Sequence, residues 1–295
     1  MRNMLVRAVS GVVLAIIVFG AILWSPWSAA LLLSLIMVGC LTEFYGLCCA
    51  AGYAPSARLG TFFASFMFLA ACAMAYSGYF PPTTAEEMQL AQACMMAVSM
   101  VILLIIVLIP MAFVCELWRN HPTPIANVST TLAGVLYVAL PMSLLPFIPF
   151  LLKGEWSPWA LLAYILLVWS NDVFAYLAGV MCGRHRMCER ISPKKTWEGF
   201  VGGLVGTIAA GVLAGYLFHS ANLWLWGGLG FVVSLTGVAG DFVESLFKRS
   251  VGVKDSGNIM PGHGGFLDRF DALLISVPFA VVYVIFARLI MSVVH

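Results

Sequence analysis

Charge is what this sequence has least of. Asp, Glu, Lys and Arg make up 9% of its 295 residues, against 62% apolar ones. Water-soluble domains carry roughly a quarter charged residues, so a mean hydropathy of +1.00 excludes an ordinary soluble globule. The glycine-rich phosphate loop G-x-x-x-x-G-K-[ST] is absent as well, which removes the P-loop nucleotide-binding classes. A disulfide framework is also missing. The eight cysteines, at 40, 48, 49, 72, 94, 115, 182 and 188, sit in or beside apolar runs without the spacing of a secreted scaffold, and they read as small membrane hydrophobes or reduced thiols. The net charge of +2 says little, and nothing suggests a nucleic-acid partner.

What is present is a succession of apolar runs of membrane-crossing length. They predict an all-α, polytopic integral membrane protein with about nine transmembrane helices. The expected spans are 8–24, 27–42, 59–76, 93–114, 129–150, 158–180, 199–218, 222–240 and 272–294. The first follows a short basic stretch, Met1–Arg7, and could pass for a signal peptide; without a small-residue cleavage site before the next run, it is expected to stay. Pro141, Pro146 and Pro149 should kink or break the fifth span near its end.

With the N-terminus in the cytoplasm, 13 of the 15 Lys and Arg residues fall inside, leaving Lys153 outside and Arg288 near the outer end of the last span. The positive-inside rule selects that orientation. It suggests a multi-pass protein of the cell's inner membrane whose charged loops, 181–199 and 241–271, face the compartment that holds nucleoside triphosphates. Residues 1–153 carry no chemical motif and read as a transmembrane scaffold with lipid-facing or dimer surfaces; residues 154–295 form the expected catalytic region.

The scarce charge is concentrated. Between Asp241 and Asp271 lie Asp241, Glu244, Lys248, Arg249, Lys254, Asp255, Asp268, Arg269 and Asp271, nine charges in 31 residues. Carboxylates alone would repel a phosphate, and a basic patch alone needs no carboxylates. Together they suit a hard divalent cation such as Mg²⁺ bridging phosphate oxygens, with Lys and Arg neutralising the rest. If 241–249 is helical, Asp241, Glu244, Ser245, Lys248 and Arg249 share one face, as do Asp268 and Asp271. Between the two groups, Pro261-Gly262-His263-Gly264-Gly265 would let backbone N–H groups approach an anion. An ordinary solvated loop is the competing explanation.

This stretch resembles the signature of the phosphatidate cytidylyltransferase (CDP-diacylglycerol synthase) family: Ser245, Lys248-Arg249, Lys254-Asp255, His263-Gly264-Gly265 and Asp268-Arg269-Phe270-Asp271. Met260, where the family usually has Leu, Ile or Phe, is a conservative departure. Two further blocks are similar to the family's: Asn171-Asp172 with Phe174-Ala175-Tyr176, and Ser192-Pro193-Lys194-Lys195-Thr196-Trp197-Glu198-Gly199. The three blocks span roughly a third of the chain, and a pattern fixing so many positions is far more specific than a lone glycine motif.

The resemblance implies transfer of the cytidylyl group of CTP to phosphatidate, giving CDP-diacylglycerol and pyrophosphate, with Mg²⁺ and a monovalent cation such as K⁺ as companion. It implies Asp268, Asp241, Lys248, Arg249, His263 and Arg269 as catalytic residues. Ser192, Lys194, Lys195, Thr196, Ser245, Lys254, Asp255, Gly264 and Gly265 would contact substrate, and Asp268, Asp241, Asp271 and Asp172 would hold metal. Membrane lipids and a second copy of the chain are the other partners implied.

Each residue also has a plainer explanation. Asp172, inside an apolar span, could serve the site or simply hydrogen-bond a neighbouring helix. Lys194 and Lys195 could be a juxtamembrane basic patch, and His263 could be an acid or could orient phosphate. Cys182, His185 and Cys188 lack a fourth ligand for zinc. The glycines at 202, 203, 206, 211 and 215 suit close helix packing. A transporter with a buried Asp, or a CTP-dependent lipid kinase, are the rival functions.

Overall fold

The computed structural model describes residues 2–77, 99, 103, 106–107, 109–220, 222–257 and 264–294. Its elements, in chain order, are α1 (Arg2–Trp24), α2 (Pro26–Ala50), α3 (Ala57–Ser77), α4 (109–119), α5 (Pro124–Lys153), α6 (Pro158–Cys182), a hairpin of β1 (Arg186–Cys188) and β2 (Ser192–Thr196), α7 (Trp197–Leu217), α8 (Leu223–Ser250) and α9 (Leu267–Val294). Helix dominates because apolar side chains in lipid leave the backbone no partner but itself. Seven helices among the described residues are long and apolar enough to cross a membrane, and Ser10–Trp24 is a shorter apolar helix. This is an all-α, polytopic membrane protein. Most of the expected fourth span, 93–114, lies outside the described residues.

Where boundaries differ from expectation, the helices are longer. The second span was expected to stop at Thr42, but α2 runs on to Ala50 and takes Glu43 into the helix. The region 241–271 was expected as a loop; α8 continues through Ser250 and α9 begins at Leu267, so only the part between them is loop. Within the basic segment after α6, β1 and β2 pair antiparallel, Arg186 with Thr196 and Cys188 with Ser192.

The chain divides into two compact units, Met1–Pro158 with Asp255–Arg269, and Trp159–Lys254 with Phe270–His295. In the first, α5 carries the expected proline break. A π-helical turn, Val135–Ala139, precedes Pro141, and a 3₁₀ turn, Leu145–Phe147, contains Pro146, the local adjustments that re-satisfy backbone groups freed by proline. The Tyr45 hydroxyl donates to Thr131 O at 2.9 Å, joining α2 to α5. The turn after α2 is held by Asn127, whose Oδ1 accepts from Ala54 N at 2.9 Å, and by Arg119, which pairs with Glu116 and donates to Ala54 O.

In the second unit, α7 and α8 approach through small residues. Gly199, Gly203, Thr207, Gly211 and Gly215 are buried on one face of α7, and a Cβ on Gly230 of α8 would lie 2.5 Å from Thr207 O. Close backbone contact supplies the dispersion energy that holds helices together where lipid offers no hydrophobic drive. Tyr164 of α6 and Ser276 of α9, both buried, share a hydrogen bond of 2.8 Å.

Candidate active site

The second unit contains a cavity of about 460 Å³, lined by Asp172 and Tyr176 of α6, Arg186 of β1, Lys194, Lys195 and Thr196 of β2, and Asp241 of α8, among others. Its size falls in the range of small-molecule sites. Local structure explains how each wall is placed. The hairpin folds Arg186 back beside Lys194, whose carbonyl accepts from the Arg186 guanidinium at 3.3 Å. Glu198 closes the hairpin's base, accepting from Arg184 N at 3.1 Å and pairing with His185 Nδ1 at 2.6 Å. Thr196 starts α7: its hydroxyl accepts from Gly199 N at 3.1 Å as the N-cap, a bond that satisfies one orphan donor of the helix.

The polar floor comes from α6 and α8. Asn171, fully buried, accepts from Ser234 Oγ at 2.7 Å. That bond positions the turn bearing Asp172, which also lines the cavity. Asp241 forms an ion pair with Lys195, and the Lys195 ammonium also lies 4.8 Å from the centroid of the Phe242 ring. Both side chains of the pair stay partly exposed, so its charges remain accessible to a ligand.

Behind Asp241, acids gather. The side chains of Asp271 and Asp241 are within hydrogen-bonding reach, and Glu244 is near enough to add its charge. Glu244 pairs with Lys248 one turn along α8, the i,i+4 arrangement expected from the sequence. Asp271 also accepts from its neighbour's amide, Ala272 N, at 2.8 Å. Two carboxyl groups at such range repel one another unless a proton or a cation lies between them. Their approach is fixed by backbone packing, since Gly240 of α8 sits so close to α9 that a Cβ there would lie 2.6 Å from Asp271 O.

In the first unit a second cluster surrounds the start of α9. Asp268 Oδ2 accepts from Ser256 N at 3.0 Å, Ser256 Oγ at 3.0 Å and Gly265 N at 2.8 Å. Glu43 of α2, buried, accepts from Ser256 Oγ at 2.7 Å, Phe266 N at 2.9 Å and Leu267 N at 2.8 Å. Gly264 adopts φ +81, and a Cβ at Gly265 would overlap the Glu43 carboxylate. The glycines here are therefore required by approach to the protein's own carboxylates.

Of the residues expected from the sequence, the cavity brings together Asp172, Lys194, Lys195, Thr196 and Asp241, with Asp271 in reach of Asp241. Ser192 is half-buried in β2 and Ser245 half-buried on α8. Arg249 is exposed and donates to Val253 O at 3.1 Å. Lys254, Asp255 and Arg269 are exposed. His263 lies outside the described residues. Arg186 and Glu43 went unnoticed in the sequence. Glu43 is a carboxylate embedded in an apolar helix, itself a signal of function, and it lies in the part read as motif-free scaffold.

Comparison with known proteins adds a family-level likeness. A family model described as "Cytidylyltransferase family" matches residues 5–287. A Staphylococcus aureus protein named phosphatidate cytidylyltransferase is 48% identical over 114 residues, 38% of this chain and 44% of that protein. Proteins of the same name from Rickettsia bellii and Mycobacterium bovis are 35% identical over 165 residues and 36% over 180. Those matches cover 52% and 56% of this chain and 68% and 58% of the relatives. The chain thus spans less than half the length of the Staphylococcus aureus relative.

Proposed function

The chain belongs to the cytidylyltransferase family, and from that premise we propose that it transfers the cytidylyl group of CTP to phosphatidate, releasing pyrophosphate and forming CDP-diacylglycerol for phospholipid synthesis. The observation that carries the proposal is the cavity in which Arg186, Lys194 and Lys195 meet Asp172 and Asp241. Relatives named phosphatidate cytidylyltransferase support the choice of substrates.

The chemistry makes two demands on such a site. Nucleophile and electrophile are both anionic phosphates, the phosphatidate monoester carrying about −1.5 to −2 charge near neutral pH and the α-phosphate of CTP an ionised oxygen of its own, so cations must let them meet. Arg186, Lys194 and Lys195 do this by binding phosphate oxygens. Lys195 is held ready by Asp241, and its ammonium can turn from that carboxylate to a phosphate without leaving the cavity wall. The attacking oxygen belongs to the lipid phosphate and is already deprotonated at neutral pH. Neither a covalent enzyme nucleophile nor a general base is then required.

The donor set fits Mg²⁺. Among the described residues no group of three or more His, Cys, Asp or Glu side chains is arranged to hold a metal by itself, but Mg²⁺ usually takes one or two carboxylates and completes its shell with water and substrate phosphate. Asp241 and Asp271 are such a pair. Asp172 lines the cavity with Asp241 and joins the proposed set, whereas Asp268 is committed to Ser256 and Gly265 N. When bound, Mg²⁺ polarises the α-phosphate and stabilises departing pyrophosphate. K⁺ is proposed as a companion monovalent cation. The same proposal places the protein in the cytoplasmic membrane with its cavity facing the cytoplasm, in contact with membrane lipid, as a homodimer.

Product analysis tests it. Purified protein given CTP labelled at the α-phosphate, phosphatidate and Mg²⁺ should move the label into lipid and release pyrophosphate in equal amounts. CDP appearing in place of pyrophosphate would make it a lipid kinase, and CTP remaining intact would remove the enzymatic reading.

A further inference from the structure

We infer that Glu43 is a positioning residue for the signature segment: from within α2 it caps the N-terminus of α9 and, through Ser256, fixes Asp268. The inference rests on the proposed reaction only for its activity readout. Glu43 is 6% exposed, and a carboxylate in so dry a place is costly unless its oxygens are hydrogen-bonded. Here both are. Oε1 accepts from Phe266 N at 2.9 Å, and Oε2 from Leu267 N at 2.8 Å and Ser256 Oγ at 2.7 Å.

Leu267 is the first residue of α9 and Phe266 immediately precedes it, at the helix end where backbone N–H groups have no acceptor inside the helix and the helix dipole favours negative charge. A local capping side chain normally meets this need. Glu43 meets it instead from more than 220 residues away in sequence. The Ser256 hydroxyl has one proton and two carboxylate acceptors, Glu43 Oε2 and Asp268 Oδ2 at 3.0 Å. Asp268 also takes Gly265 N. Ser256, Gly265, Phe266 and Leu267 thus hang from two acids, one of them supplied by a helix that otherwise carries no motif. This also explains why Gly257 and Gly265 have no side chain, since a Cβ at either would meet the Glu43 carboxylate. One consequence concerns the substrate: the N–H of Gly265, one of the loop amides that the sequence offers to an anion, is already committed to Asp268, as those of Phe266 and Leu267 are to Glu43.

The test is amide hydrogen exchange on Glu43→Gln and Ser256→Ala in lipid nanodiscs, paired with steady-state kinetics. Gln keeps the shape of Glu but turns one of its two accepting oxygens into an N–H₂ donor, so that one of the two backbone N–H groups loses its acceptor. Exchange at Phe266 or Leu267 should speed up by on the order of tenfold in Glu43→Gln, with less change in Ser256→Ala, while amides of α3 and α5 stay as protected as before. Turnover should fall by on the order of tenfold, with the KM for CTP within about twofold of wild type, and Glu43→Asp should recover part of the loss. Unchanged exchange at 265–267 would overturn the inference. So would faster exchange spread equally through α3 and α5, which would make Glu43 a general stabiliser of its unit. A wild-type protein that releases no pyrophosphate would sink the proposed reaction, yet the exchange result would still decide the role of Glu43.

Discussion

The two acidic clusters of this protein use the same residue type in opposite ways. In the second unit, Asp241 faces the ammonium of Lys195 and the carboxyl of Asp271. At the head of α9, Glu43 and Asp268 face backbone N–H groups and a serine hydroxyl. A carboxylate paired with a lysine can exchange that partner for a cation while the lysine takes a phosphate. One that satisfies buried backbone donors cannot leave without stranding them, at a cost of about 1–3 kcal/mol each. The first arrangement suits chemistry and the second suits architecture, so charge density alone does not separate a site from its scaffold.

The contrast can be broken first where it should matter most. Asp241→Asn keeps the size of the side chain and removes its charge, and pyrophosphate release should drop on the order of 10²-fold or more, with normal membrane insertion checked by detergent extraction and gel filtration. Lys195→Met should cost less, about tenfold or more, expressed mainly as a higher KM for CTP in steady-state assays. Lys195→Arg should not restore it fully, because a guanidinium fork does not replace a point charge on a flexible stem. Gly240→Ala acts on geometry alone: a Cβ 2.6 Å from Asp271 O must push α8 from α9, lowering stability by about 1–3 kcal/mol and turnover with it, read by thermal unfolding and activity together. Thr196→Ala removes the N-cap of α7, and the expected loss is about 1 kcal/mol, seen as a small fall in melting temperature, with any change in the KM for CTP measuring what its hydroxyl adds to substrate binding in the cavity wall.

Much of this was legible in the sequence. Apolar runs marked the helices, and the prolines of α5 marked its π and 3₁₀ turns. Helical spacing put Glu244 and Lys248 on one face, where they form an ion pair. Other features depended on packing between distant segments. Lys195 and Asp241 are 46 residues apart, and only the approach of the hairpin to α8 pairs them. Arg186 was hidden because a short basic hairpin has no apolar periodicity to betray it. Glu43 was lost at a boundary: a carboxylate normally ends an apolar run, and here the helix continues past it because three donors from the segment 256–267 satisfy it.

The central claim is that Asp241 and Asp271 hold a divalent cation where the phosphates meet, and Mn²⁺ titration of the purified protein, followed by electron paramagnetic resonance with CTP present, tests it most directly. Wild-type protein should show saturable binding that Mg²⁺ competes away, and both Asp241→Asn and Asp271→Asn should weaken it by at least tenfold. Mn²⁺ bound as tightly by those variants as by wild type would contradict it.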